Sequence, residues 1–176
     1  AFFHLLNSSL FAVVLALATL SIPILYIKDQ FPEWNCIFYI MAFLGVSTLF
    51  FVIAYAFTYR KIEGKNTSWF KFTSLFLSFF SVAMGMSINN TRAVLEGHFG
   101  KKSSFIRTPK FNSIEKKTIH YKNARNLSWE NMLEFVLILY FTFGVYSAFK
   151  LNDFGLLPFH LMLLFGFSFV FYKSAF

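Results

Sequence analysis

Residues 69 to 97, WFKFTSLFLSFFSVAMGMSINNTRAVLEG, decide how the chain meets a membrane. Apolar length alone makes residues 69 to 88 a spanning segment. Their polar residues point elsewhere. Lys71, Ser74, Ser78, Ser81, Gly85, Asn89, Arg92 and Glu96 recur every three or four positions, so one helix over 70–97 carries a single polar or small stripe opposite a Phe/Leu/Met face. Such a helix is amphipathic and lies in the interface plane without crossing. The alternative is a spanning helix whose Ser/Gly stripe packs against neighbouring helices, as small residues do in lipid. Charge arbitrates: 4 Lys/Arg fall between residues 60 and 71 and 9 between 89 and 131, so 13 of the 16 basic residues flank this one segment. Basic loops are retained in the cytoplasm, and both can stay there only if the segment between them does not cross.

Charge-free apolar runs lie on either side. Residues 5 to 27 carry no ionisable side chain and, at about 1.5 Å rise per residue, are long enough for a hydrocarbon layer of roughly 30 Å. Pro23 should kink the last turn, which lipid-embedded helices tolerate where a neighbour satisfies the carbonyl that proline leaves free. Residues 35 to 59 form a second span, 131 to 149 a third with Glu134 near its start, and 154 to 172 a fourth. The linker over 28–34, with one base and two acids, and the short turn over 150–153 then lie outside. The expected fold is therefore all-α integral membrane. A transmembrane helix pair over 1–69 and another over 131–176 give four transmembrane helices, joined by the amphipathic interfacial helix over 70–97 and a basic cytoplasmic loop over 98–130. The expected location is the cell inner membrane, multi-pass, with the lipid bilayer as the first partner.

Composition agrees. Of 176 residues, 57% are hydrophobic and 14% charged, more apolar surface than a soluble domain of this size can hide. A net charge of +8 would suit nucleic acid, but the longest apolar runs exclude that charge, so no nucleic-acid partner is expected. A single cysteine, Cys36, supports neither a disulfide nor a cysteine metal site within the chain, and eight carboxylates with no closely spaced Asp pair leave little material for an acid/base or metal-dependent centre. No catalytic residue and no metal ligand is therefore expected here. The absence of an initiator Met and of a signal-peptide pattern suggests a piece of something longer.

The sharpest local signal is Phe105-Ile106-Arg107-Thr108-Pro109-Lys110-Phe111, preceded by Lys101-Lys102-Ser103-Ser104. A hydroxyl between two cations, with a proline restricting the backbone, has the chemistry to grip a pyrophosphate, since charged hydrogen bonds contribute roughly 1.5 to 3 kcal/mol each. On composition alone that signal is weak, and a basic loop beside the membrane is more often a topogenic segment drawn to anionic lipid. The stretch over 87–97, SINNTRAVLEG, followed by 105–111, resembles the post-catalytic membrane region of bacterial family 2 glycosyltransferases of the cellulose-synthase-like type. In that family a cytosolic nucleotide-sugar domain is followed by two spans, an interfacial helix, a gating loop of form F-x-V-T-x-K and two more spans. The resemblance places Phe105, Thr108 and Lys110 on the fixed positions of that motif, with Arg107 where the family has Val. It implies a loop that inserts over a nucleotide sugar, UDP- or GDP-hexose, for transfer to a growing glycan acceptor. It also implies an upstream glycosyltransferase domain holding Mg²⁺ or Mn²⁺, and no cofactor bound by this chain. The family's catalytic Asp residues, its D-x-D and its Q-x-x-R-W motifs are absent here.

The rival from another class is a non-enzymatic membrane subunit, a flippase component or assembly scaffold whose basic loop binds lipid headgroups or a partner. Among the remaining polar residues, His160 on an apolar span is expected to hydrogen-bond a neighbouring helix, and Glu134 to snorkel or pair with a loop lysine. His4, His98 and His120 show no metal-ligand spacing.

Overall fold

The computed structural model describes residues 2–44, 46–64, 68–100 and 128–175. Every regular element among them is helical: α1 Phe2–Gln30, α2 Asn35–Leu44, α3 Val46–Glu63, α4 Trp69–Gly85, α5 Ser87–His98, α6 Trp129–Lys150 and α7 Leu157–Ala175, with a 3-10 turn Pro32–Trp34 after α1. Three stretches, Ser9–Gln30, Trp129–Lys150 and Leu157–Ala175, are long and apolar enough to cross a bilayer, and the bent pair α4 and α5 makes a fourth if counted as one span.

Around a small apolar core that includes Ile22, Phe141, Leu163 and Phe167, burial differs from that of a soluble globule. Ser21, Ser81, Ser87, Ser147, His160 and Glu134 are buried, while Phe43, Phe50, Phe57, Phe70 and Tyr39 are largely exposed. Water would penalise such a surface and lipid does not, which is consistent with an all-α membrane protein.

Helix α7 holds the bundle together, packing on α6 along one side and on α4 along the other. The α4 contact brings backbone against backbone. A methyl added to Gly166 would collide with the Ser81 carbonyl and come within 3.1 Å of the Gly85 nitrogen; one added to Gly85 would strike the Gly166 carbonyl and sit 3.0 Å from Val170. The Ser/Gly stripe of α4 thus faces α7, as small residues do where helices in lipid approach closely. Contacts advance together along α4 and α7, with Ser74 and Leu77 sharing a groove with Pro158 and Leu161, and Gly85 reaching Val170, so the two run parallel. Helix α1 runs parallel to α6, through Tyr140 against Thr19, Ser147 against Tyr26 and Asp153 against Lys28.

One expectation is corrected here. Over 35–59 the described residues on both sides of Gly45 are helical, Asn35–Leu44 and Val46–Glu63, and α3 ends on Arg60, Lys61 and Glu63. The single helix over 70–97 is two, α4 and α5, meeting at 45° around Met86. The ladder almost survives the bend, because Met86 N–H still donates to Val82 O and Asn90 N–H to Met86 O. Gly85, held against α7, supplies the weak point where helices kink. With α4 parallel to α7, the basic stretches before α4 and after α5 leave from opposite ends of the bundle, whereas charge clustering alone favoured one shared side.

Proline in α1 is accommodated as expected. Helix α1 continues through Pro23 to Gln30. Pro23 has no N–H for the carbonyl four residues earlier, that of Thr19, and the Tyr140 hydroxyl of α6 donates to that carbonyl instead.

Two measurements test these contacts. Gly166→Ala should lower the melting temperature of the detergent-solubilised protein by the equivalent of about 1 to 3 kcal/mol or more, the usual cost of overpacking. Gly97→Ala, where an added methyl meets nothing within 4 Å, should leave it unchanged or raise it; similar losses at both sites would mean that the crossing is not backbone-tight. Tyr140→Phe should cost about 1 to 3 kcal/mol by orphaning the Thr19 carbonyl. In a Pro23→Ala background, where an N–H returns to that carbonyl, the same change should cost clearly less. An equal cost in both backgrounds would show that Tyr140 does not compensate for the proline.

Candidate functional site

Where α5, α6 and α7 meet at one end of the bundle, polar side chains concentrate. Asn89, Arg92 and Glu96 lie on one face of α5, three and four residues apart. Helix α6 begins at Ser128, whose hydroxyl oxygen accepts from the Asn131 N–H at 3.4 Å, and so places Glu130 in the first turn, where a carboxylate suits the helix dipole. Glu130 and Glu134, one turn apart, both face α5.

Arg92 is the centre of this cluster. Its Nε donates to Glu96 Oε1 at 2.9 Å, its guanidinium pairs with Glu130 across the helix boundary, and its Cζ lies 5.6 Å from the centre of the Trp129 ring. Glu130 is 6% exposed while Arg92 keeps 42% of its side chain accessible, so the pair is wet on one side and dry on the other. A buried carboxylate needs such a partner, because without one it would bear its desolvation cost alone.

Deeper in, Glu134 is fully buried. Asn89 Nδ2 donates to its Oε1 at 3.4 Å and Ser174 Oγ to its Oε2 at 3.1 Å, tying α5, α6 and α7 together. Snorkelling is therefore the wrong reading for Glu134: it points into the helix junction. The lysines of the basic loop that it was also expected to meet lie outside the described residues. An apolar groove of about 450 Å³ opens between α1, α5 and α6, and Arg92 and Glu96 are the charged groups on its wall.

His160 behaves as expected for a packing residue. Its Nε2 lies 2.9 Å from Ser21 Oγ, and that hydroxyl already donates to the Ala18 carbonyl at 2.6 Å. Imidazole and hydroxyl thus share a hydrogen bond between α7 and α1, and Nδ1 faces Gly144 on α6. Ser147 repeats the logic, donating to Phe143 O at 2.8 Å and accepting from the Tyr26 hydroxyl at 2.9 Å.

Phe105, Arg107, Thr108 and Lys110, the residues on which the sequence motif rests, lie outside the described residues. The structure describes the two points between which they are strung: Gly100, just past α5, and Ser128, the cap of α6. Arg92, midway along α5, pairs with Glu130 in the first turn of α6. The cluster around it was only partly visible beforehand: Asn89, Arg92 and Glu96 belonged to the polar stripe, but Glu130 carried no sequence signal beyond its four-residue spacing from Glu134. Among the described residues no group of three His, Cys, Asp or Glu is gathered as a metal site.

No family model matches the chain, and neither a curated protein nor a solved structure shows significant similarity to it.

At the opposite end, Lys28 Nζ pairs with Asp153 Oδ2 at 2.5 Å, and Asp153 Oδ1 accepts from the Gly155 N–H at 3.1 Å. The bond from Lys28 holds the Asp153 carboxyl below its ordinary value, against the opposing effect of partial burial. A carboxylate with a depressed folded-state pKa stabilises the fold above its unfolded value and loses that contribution as pH falls through the folded one. Stability should thus be flat in this respect from neutral pH to about 5 and decline below about 4. Asp153→Asn should remove that part of the decline, together with no more than about 1 kcal/mol at neutral pH, because both side chains are partly exposed. An acid limb unchanged in Asp153→Asn would show that the pair does not contribute to it.

Proposed function

We propose that this chain is the membrane portion of a family 2 glycosyltransferase, which transfers a hexose from a UDP- or GDP-sugar to a growing glycan, and that it supplies the gating loop and the membrane platform for the catalytic domain. The observation that carries the proposal is the clasped base of the basic segment. Residues 101 to 127 hold eight Lys/Arg and one acid. The chain leaves for this segment from the end of α5 and returns to the start of α6, and Arg92, midway along α5, pairs with Glu130 in the first turn of α6. A loop that must reach repeatedly over an anionic nucleotide needs cations on a long tether and a fixed base, and this arrangement offers both.

The chemistry assigned to the loop is binding. The Thr108 hydroxyl donates to a phosphate oxygen, Lys110 supplies a point charge, the Arg107 fork grips a second oxygen, and Phe105 anchors the segment by its apolar bulk. The divalent cation used by such enzymes belongs, in this reading, to the upstream catalytic domain. The end bearing the basic segment faces the cytoplasm of an inner-membrane protein. In sequence, ten of the 16 Lys/Arg run from Arg92 to Arg125 or are Lys173, against four acids (Glu96, Glu115, Glu130 and Glu134); the six others go with the remaining four acids. What supports a fourth crossing by α4 and α5 together is the tight, parallel seating of α4 on α7.

The test uses membranes containing the full-length protein and labelled UDP- and GDP-hexoses, with glycan incorporation measured at matched insertion. Thr108→Ala and Lys110→Ala should each lower transfer or apparent donor affinity by roughly ten- to a hundredfold, the equivalent of one charged contact of about 1.5 to 3 kcal/mol. Lys116→Ala, outside the motif, should stay near the wild type. If the three variants cannot be told apart and Thr108→Ala is fully active, the segment is a lipid- or partner-binding loop of a non-enzymatic membrane subunit, the rival reading.

A further inference from the structure

We infer that the groove between α1, α5 and α6 is a lipid site of defined headgroup: it holds one phosphatidylethanolamine, with an acyl chain along its walls and the zwitterionic headgroup on Arg92 and Glu96. The site does not depend on what the chain catalyses.

The walls determine the kind of occupant. The groove, of about 450 Å³, has Leu15, Ile88 and Leu137 for its floor, residues that belong to the core or pack against it, and it opens outward between the exposed Leu95, Leu133 and Val136. Thr19 lines it too, but its hydroxyl donates to carbonyls of its own helix, and the Thr91 hydroxyl oxygen is buried. Below Arg92 the surface therefore offers a polar solute nothing to bond, and water gains no hold in such a space. Along α6 the groove runs from Trp129 through Leu133 to Val136 and Leu137, about two turns into a helix long and apolar enough to cross a bilayer. It thus starts where Trp and Arg meet headgroups and continues into hydrocarbon, which is the course of a phospholipid chain.

Charge selects the headgroup. Arg92 is bonded through Nε to Glu96 and through Nη1 to Glu130, which leaves the donors of Nη2 for a ligand oxygen on a side chain that is 42% accessible. One cation and two carboxylates make the cluster net −1. An anionic lipid such as phosphatidylglycerol adds a second uncompensated negative charge, and like charges brought together oppose binding. Phosphatidylethanolamine carries its own ammonium, a donor that Glu96, on the same wall as Arg92, can accept while the guanidinium takes the phosphate.

The experiment uses the detergent-solubilised protein, stripped of lipid and offered phosphatidylethanolamine or phosphatidylglycerol of identical acyl chains, with bound copies counted by native mass spectrometry. A salt concentration of about 0.2 M screens attraction to exposed basic residues more than it screens a partly buried cluster. Phosphatidylethanolamine should bind at least about fivefold more tightly than phosphatidylglycerol. Glu96→Gln keeps an oxygen for Arg92 Nε but removes the charge, and should bring the two lipids within about twofold of each other without altering the packing of the helices. Val136→Trp fills the groove from its rim and should weaken both lipids by about tenfold or more, whereas Leu139→Trp, at a position equally exposed on α6 but outside the groove, should leave both unchanged. Equal binding of the two lipids by the wild type, a preference that survives Glu96→Gln, or Val136→Trp indistinguishable from Leu139→Trp would each overturn the site and leave only the lipid that coats any membrane protein.

Discussion

The packing of this bundle depends on the contact between Ser81 and Gly85 of α4 and Gly166 of α7. In lipid, two apolar helices gain nothing from hiding leucines from water, so association rests on how closely the backbones approach and how many dispersion contacts follow. At this crossing the absence of side chains brings carbonyl and Cα surfaces together, and side chains of neighbouring turns close around the gap. Because α7 also lines α6, the crossing connects the bent pair α4 and α5 to the rest of the bundle. Volume is thus the constraint on α4, which explains why its inward stripe is Ser/Gly while its phenylalanines point away.

Polar satisfaction fixes register where packing alone would let helices slide. Thr19 to Tyr140, Ser21 to His160, Tyr26 to Ser147 and Lys28 to Asp153 mark one continuous seam along α1, spaced so that each group meets its partner only at a single offset. A slip by one turn would orphan a carbonyl, an imidazole and a hydroxyl together inside a medium with no water to replace the lost bonds. Pro23, which by itself weakens α1, therefore makes the register more specific by creating an acceptor that only Tyr140 answers.

The helical character of the chain and three of its long apolar helices were legible in the sequence because they depend on uninterrupted runs of apolar residues, a purely local property. The Ser/Gly stripe over 74–85 was legible as a stripe, but its meaning was not: the same three-to-four spacing suits a wet face and a face pressed against another backbone, and only Gly166 on a distant helix distinguishes them. Positive-residue counting pulled toward the wet face, since it weighs loops and is blind to packing. The break at Met86 also escaped, because the apolar and polar periods run through it without a step. Glu134 near a membrane boundary looked exposed for the same reason: its burial comes from Asn89 and Ser174, forty and more positions away. The motif over 105–111 remains a reading of residue types alone, with its base, but not its own residues, among those described.

The bend between α4 and α5 connects these levels. Upstream of it the helix carries Phe, Leu, Ser and Gly and fits against α7 through small residues; downstream it carries Asn89, Arg92 and Glu96, whose polar heads cannot lie where Ser81 and Gly85 lie. A straight continuation would drive those groups along the same line that buries the stripe. The 45° turn redirects them toward the first two turns of α6, where Arg92 meets Glu130 and Asn89 meets Glu134. The tight crossing and the charged clasp are thus two consequences of one chain direction, since the glycine that lets α4 approach α7 is also the point at which the helix yields. Structural closeness at one end of the segment is what makes an ordered cluster of charge possible at the other.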